Sequence, residues 1–113
     1  MRDSDIEASL INASKLLLEG RSNERLRHAL ISEFGDLKSA FVLDWIPEQG
    51  EDIYTVLVSE EFIAIIELTR DKSYASFPII QRIPFSHYCR NKKRLTKHNR
   101  RALAIAQRLM KSL

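Results

Sequence analysis

The sequence predicts a single α+β domain with the element order ααββββα: a helical hairpin, a four-stranded antiparallel meander sheet and a C-terminal amphipathic basic helix. Three observations lead to this prediction. Apolar residues recur every three or four positions near both ends of the chain, which is typical of helices. In the middle of the chain they alternate with a period of two, which indicates strands. Short turn segments separate these strands, so we expect sequential strands to pair in one sheet.

Two helices are predicted at residues 1–20 and 23–34. The first has the spacing of a capping box at Ser4 and Glu7, and its apolar stripe consists of Ile6, Leu10, Ala13 and Leu17. Asn23 or the serine before it is suited to cap the second helix. Each segment is followed by a glycine, which favours a helix end. The short connection predicts that the two helices are antiparallel.

Four strands are predicted at residues 37–46, 53–59, 61–69 and 74–85. Pro47 is expected to end the first strand, and a five-residue loop at 48–52 then forms the first hairpin. The fourth strand contains Pro78 and Pro84, which lack a backbone N–H. We therefore expect this segment to lie at a sheet edge, followed by an irregular basic connection from residue 86 to 95.

The last segment, residues 90–113, carries nine of the eighteen Lys and Arg residues of the chain and no acid. Thr96 is a suitable cap for a helix that begins at Lys97. One side of this helix is apolar, with Ala102, Leu103, Ala106, Leu109, Met110 and Leu113. The opposite side is cationic, with Lys97, Arg101, Arg108 and Lys111. The apolar side predicts burial against the rest of the domain, since a short helix is marginal alone.

The charge of the chain is divided between its two parts. Residues 1–71 hold 7 Lys and Arg and all 15 Asp and Glu, a formal charge of −8, whereas residues 72–113 hold 11 Lys and Arg and no acid. Such asymmetry is typical of interaction surfaces. No apolar run is long enough for a membrane span, and Cys89 alone cannot form an internal disulfide. We expect a cytoplasmic protein. Its size is typical of small bacterial accessory proteins.

Both faces of the predicted sheet carry apolar residues, because the strands alternate imperfectly. Either helices cover both faces, or a second copy of the chain covers one of them. The sequence favours a homodimer that buries Val42, Val56, Ile63 and Ile65. We accordingly expect a small non-catalytic binding protein that self-associates through a sheet face.

A nucleic-acid-binding protein is the first alternative. Seven cations lie within the twelve residues 90–101 and would neutralise backbone phosphates, or an acidic protein partner. The predicted contact residues are Arg90, Lys92, Lys93, Arg94, Lys97, Arg100, Arg101, Arg108 and Lys111. The segment matches no helix-turn-helix or zinc-finger pattern, so binding without sequence preference is expected.

A ligand carrier or small enzyme is the second alternative. Its pocket would lie between sheet and helices, lined by Phe41, Asp44, Trp45, Phe62 and Tyr74. His87, Cys89 and His98 fit no zinc-ligand spacing, and the cations around them would repel a metal ion. The sequence also lacks a glycine-rich phosphate loop. We therefore expect no metal and no cofactor, and we favour a protein without catalytic activity.

Overall fold

The computed structural model describes residues 2–70, 78–90 and 96–112 and confirms the predicted α+β layout. The elements are, in chain order, α1 (Asp3–Leu18), α2 (Glu24–Phe34), β1 (Phe41–Glu48), β2 (Glu51–Leu57), β3 (Phe62–Thr69), β4 (Ile79–Pro84), α3 (Phe85–Arg90) and α4 (Lys97–Lys111). The short helix α3 occupies part of the connection that the sequence predicted to be irregular. Among the described residues, no helix is long and apolar enough to cross a membrane.

The helix ends follow local chemistry closely. The Thr96 hydroxyl accepts the backbone N–H of Asn99 at 3.1 Å, which confirms the predicted cap of α4. Asn23 caps α2, as predicted. The predicted capping box at Ser4 is wrong, because α1 already begins at Asp3.

The four strands form one antiparallel meander in the order β1–β2–β3–β4, as predicted. The first hairpin is tighter than predicted, because Glu48 pairs directly with Glu51. Only Gln49 and Gly50 remain between the strands, and Gly50 has a φ of 79°, which favours glycine. Pro47 lies inside β1 rather than beyond it. This is tolerated because β1 is an edge strand, where a missing N–H need not interrupt a ladder.

The fourth strand occupies the opposite edge, as predicted. β4 spans Ile79–Pro84, and the predicted start at residue 74 lies outside the described part of the chain. Pro84 ends the strand and leads directly into α3. Both edge strands therefore contain a proline, which limits pairing with further strands.

One face of the sheet, here called the α2 face, packs against α2. Its cross-strand neighbours Val42, Val56 and Ala64 lie beneath the fully buried Leu30. The buried members of this core are Leu17, Leu26, Ala29, Leu30, Ala40, Val56, Val58, Ala64, Ile66 and Leu68. α1 contributes only its last turns to this layer.

The other face, here called the α4 face, packs against α4 and the first turns of α1. Its cross-strand row Phe41, Leu57 and Ile63 is buried. The buried members of this second core are Ile6, Leu10, Phe41, Leu57, Ile63, Ala102, Leu103, Ile105 and Ala106. The sequence left open whether a helix or a second subunit covers this face. In the structure, α4 covers its buried row.

A bulge in β1 changes which residues share a face. The register shifts between Val42 and Asp44, so that Leu43 is an extra residue without a partner in the ladder. Consequently Phe41 and Asp44 both lie on the α4 face, whereas Trp45 lies on the α2 face. The uninterrupted alternation predicted for this strand is therefore wrong beyond Leu43.

The residues predicted for self-association do not form one surface. Val42 and Val56 lie on the α2 face, whereas Ile63 and Ile65 lie on the α4 face. Val56 and Ile63 are 0% exposed within a single copy of the chain. These two side chains are therefore corrected from interface residues to core residues, because α2 and α4 already cover them.

Candidate functional site

The helices cover only part of the α4 face. Strand pairing extends this face beyond the buried row in three further rows: Asp44, Thr55, Ile65 and Gln81; then Ile46, Ile53, Glu67 and Ile79; then Glu48, Glu51 and Thr69. Thr55 is the only one of these residues that is buried. The end of the sheet beside the β1–β2 turn is therefore an accessible surface.

Four isoleucines make this surface apolar. Ile46 is 46% exposed and Ile79 is 62% exposed, although both belong to strands of the sheet. Ile53 lies between them in the same row and is half-buried, as is Ile65 in the next row. Large apolar side chains that are clustered in this way are typical of interaction sites, whereas single exposed ones are not.

Four carboxylates surround the isoleucines, namely those of Asp44, Glu48, Glu51 and Glu67. None of them forms a salt bridge with a described residue. Glu48 and Glu51 are direct cross-strand partners, an arrangement in which like charges are destabilising. The four isoleucines and four carboxylates together are called the acidic isoleucine face below. It can accept an apolar and cationic partner.

The helix α3 forms one border of the acidic isoleucine face. Tyr88 of α3 is half-buried against the α4 face, beside Thr55 and Asp44. Burial raises the pKa of the Tyr88 phenol above its usual 10.0, and the nearby Asp44 carboxylate acts in the same direction. Arg90, at the end of α3, follows two residues later and is exposed.

The raised pKa of Tyr88 predicts a loss of stability in alkali. The unfolded phenol ionises near pH 10, while the folded one stays protonated, so the free energy of unfolding falls as pH rises above about 10. Tyr88→Phe should reduce the slope of this fall, as measured by urea unfolding between about pH 9 and about pH 11. An identical slope in wild type and variant would contradict this role of the phenol.

The predicted basic side of α4 is partly neutralised within the chain. Arg101 Nε lies 2.6 Å from Asp3 Oδ1, and Arg108 Nη2 lies 2.7 Å from Glu7 Oε2. Both acids belong to the first turns of α1, so the acidic start of the chain meets its basic end. All four side chains are partly exposed, which limits the contribution of each pair to about 1 kcal/mol or less.

The other predicted cations have different surroundings. Arg90, Lys97 and Lys111 are exposed and form no salt bridge with a described residue. Arg100 is exposed in the first turn of α4. Three of the nine predicted contact residues, Lys92, Lys93 and Arg94, lie outside the described residues. Of the described members, Arg101 and Arg108 thus form salt bridges with α1. Arg90 lies at the end of α3, Lys97 and Arg100 lie at the start of α4, and Lys111 lies at its end.

The structure does not assemble the predicted ligand pocket. Phe41 and Asp44 lie on the α4 face, where Phe41 is buried in the core. Trp45 and Phe62 lie on the α2 face, on the other side of the sheet. Tyr74 lies outside the described residues. The bulge in β1 separates Trp45 from Phe41, and the register of β2 with β3 places Phe62 on the face opposite to Phe41.

Trp45 instead belongs to a polar network on the α2 face. Its indole N–H donates to Asp52 Oδ1 at 3.1 Å, and Arg70 Nη2 donates to the same oxygen at 3.0 Å. The hydrogen bond from Arg70, followed by that from Trp45, lowers the pKa of Asp52 below its usual 3.8. The indole stacks on Tyr54 with ring centroids 6.5 Å apart. The network accounts for the orientation of this exposed tryptophan.

The sequence indicated only part of the acidic isoleucine face. Ile65 was predicted for self-association and Asp44 for a pocket, whereas the other three isoleucines and the other three carboxylates were not among the predicted site residues. The sequence pattern that could have indicated these residues is the presence of isoleucines beside acids at strand ends. This pattern becomes specific only when the register places Ile53, Glu67 and Ile79 in one row.

Comparison of the chain with protein-family models, curated proteins and solved structures finds no match. Among the described residues, no group of three or more His, Cys, Asp or Glu side chains is arranged to hold a metal ion. The four carboxylates therefore stand out for their charge and their apolar neighbours, and a candidate function has to be argued from these properties.

Proposed function

We propose that the chain is a binding protein that self-associates, with the acidic isoleucine face of one copy receiving the basic segment, residues 90–101, of a second copy. The observation that carries the proposal is the set of four carboxylates, none of which forms a salt bridge with a described residue, around four accessible isoleucines. Apolar contact would provide affinity, and the opposite charges would set the orientation. A cytoplasmic location belongs to the proposal and is supported by the single cysteine of the sequence.

Charge complementarity supports a second copy as the occupant. The basic segment carries seven cations in twelve residues, and Arg90 and Lys97 are exposed without a salt bridge to a described residue. A cation placed between Glu48 and Glu51 would relieve the repulsion across the hairpin. The same chain therefore offers both a surface that needs cations and a segment that supplies them.

The position of α3 supports a closed dimer. Tyr88 packs against the α4 face near Asp44, a member of the acidic isoleucine face, and Arg90 follows at the end of the same helix. The basic segment thus begins beside the acidic surface, on the same side of the sheet. A two-fold axis between these two areas would pair each basic segment with the acidic surface of the other copy, which closes the assembly at two copies.

The predicted contact with nucleic acid has weaker support. It needs the cationic side of α4, yet Arg101 and Arg108 are paired with Asp3 and Glu7. These carboxylates would also repel a phosphate backbone that approached the same side of the helix. Self-association requires only cations of the basic segment that are not paired with α1, such as Arg90 and Lys97. We therefore favour self-association over nucleic-acid binding.

Charge reversal with mixing tests the proposal. The acid variant is Glu48→Lys/Glu67→Lys, the base variant is Arg90→Glu/Lys97→Glu, and mass in solution is measured by light scattering. We expect the wild type to dimerise at low salt, each variant to associate about tenfold more weakly or worse, and their equimolar mixture to dimerise again. High salt should weaken the wild-type dimer because it screens exposed charges.

The matched control is Glu60→Lys/Glu61→Lys, which reverses two carboxylates at the β2–β3 turn. It should dimerise as the wild type does. A wild type that stays monomeric at low salt would refute self-association. Equal weakening by the control, or no recovery in the mixture, would refute the proposed pairing. Salt-dependent binding of nucleic acid by a monomeric wild type would favour the alternative.

A further inference from the structure

A groove between α1 and α4 lies apart from the acidic isoleucine face. It has a volume of about 510 Å³, which lies within the range of small-molecule sites. Its lining comprises Ile11, Ser14, Lys15, Leu18, Glu19, Leu37, Lys38, Ser39, Phe41, Leu109 and Ser112. The groove thus joins the second half of α1, the end of α4 and the segment that leads into β1.

The groove is apolar along its floor. Phe41 is buried there, and Leu18, Leu37 and Leu109 are half-buried beside it. Ile11 is 45% exposed on the wall that α1 provides. The buried Ser14 adds no unsatisfied polar group, because its hydroxyl accepts the N–H of Ala40 at 2.9 Å. An alkyl chain could therefore lie against this floor without meeting an unpaired Ser14 hydroxyl.

The rim of the groove carries two cations. Lys15 and Lys38 are both exposed, and neither forms a salt bridge with a described residue. Among the described lining residues, the one carboxylate is that of Glu19, which lies 3.7 Å from the guanidinium of Arg21. The two ammonium groups are therefore available to an anion whose apolar part occupies the groove.

We infer that this groove is a binding site for a single-chain amphiphile with an anionic head, such as a fatty carboxylate. The alkyl chain lies against Leu18, Leu37 and Leu109, and the carboxylate lies between Lys15 and Lys38. Burial of methylene groups supplies most of the affinity, and the two ammonium groups select an anion over a neutral head. The site uses none of the carboxylates or isoleucines assigned to self-association, so it stands independently of that proposal.

Titration with decanoate, followed by NMR of isoleucine methyl groups on the full chain, tests the inference. We expect saturable shifts of the Ile11 methyl signal and an affinity at least about tenfold higher than that for decanol, the neutral counterpart. Lys15→Gln/Lys38→Gln should remove this preference while leaving the weak binding of decanol unchanged. The control Arg2→Gln/Arg25→Gln removes two exposed cations elsewhere and should keep the preference.

Three results would overturn the inference. They are equal affinities for decanoate and decanol, an undiminished preference in Lys15→Gln/Lys38→Gln, and shifts that leave Ile11 unaffected. Anionic vesicles distinguish a free amphiphile from a membrane surface. Binding to vesicles without saturable decanoate shifts at Ile11 would assign the lysines to a surface contact and refute the groove.

Discussion

Ile63→Glu should leave the chain largely unfolded, with a loss of more than about 4 kcal/mol in the free energy of unfolding. The side chain of Ile63 is 0% exposed, at the centre of the core that α4 covers. A carboxylate at this position would be buried without a cation or hydrogen-bond donor. A domain of this size has a total stability of about 5–15 kcal/mol, so most of it would be removed. Circular dichroism and urea unfolding measure the effect.

Ile79→Glu is the matched control for this prediction. It makes the same substitution on the same face of the sheet, but Ile79 is 62% exposed and lies beyond the cover of α4. We expect it to change the free energy of unfolding of the monomer, measured at high salt, by about 0.5 kcal/mol or less. If Ile63→Glu folds normally and changes only the mass in solution, α4 does not cover this part of the face.

Leu30→Ala should lower the free energy of unfolding by about 2–5 kcal/mol, the second large effect. Leu30 is fully buried between α2 and the sheet, next to Val56 and Ile66. The substitution removes apolar contact and leaves a cavity that these neighbours can fill only in part. Urea unfolding at constant pH measures the difference between variant and wild type.

His28→Ala provides the comparison within the same helix. His28 is exposed, so its replacement should change the free energy of unfolding by about 0.5 kcal/mol or less. Equal effects of Leu30→Ala and His28→Ala would contradict the packing of α2 on the sheet. A large effect of Leu30→Ala together with that of Ile63→Glu establishes that both faces contribute to one cooperative unit.

The elements of this fold were predictable from the sequence because their signals are local. The hydroxyl of Thr96, the amide of Asn23 and the glycines after α1 and α2 fix the helix ends within a few residues. Apolar periodicity distinguished helices from strands. The meander followed from the short turns, since strands joined by a few residues pair with each other.

The arrangement of the elements was not predictable because it depends on contacts between distant residues. The bulge at Leu43 places Trp45 on the face opposite to Phe41, and the register of β2 with β3 does the same for Phe62, so the predicted pocket does not form. The pairs of α4 with Asp3 and Glu7 join the two ends of the chain and neutralise cations that the sequence alone leaves free. Sequence periodicity specifies that an apolar side exists, but not which helix covers it.

The acidic isoleucine face was likewise predictable from the sequence only in part. Its four isoleucines come from four strands and lie beside the four carboxylates only because of the register of the sheet. Self-association through a sheet face therefore remains a proposal, now moved from the buried row of the sheet to its accessible end.

Isoleucine methyl NMR across a dilution series tests that proposal most directly. At low salt, the account predicts concentration-dependent shifts for Ile46, Ile53 and Ile79, while the buried Ile6 and Ile66 keep their positions. Methyl signals that stay constant at every concentration, or that change only at residues outside the acidic isoleucine face, would contradict it.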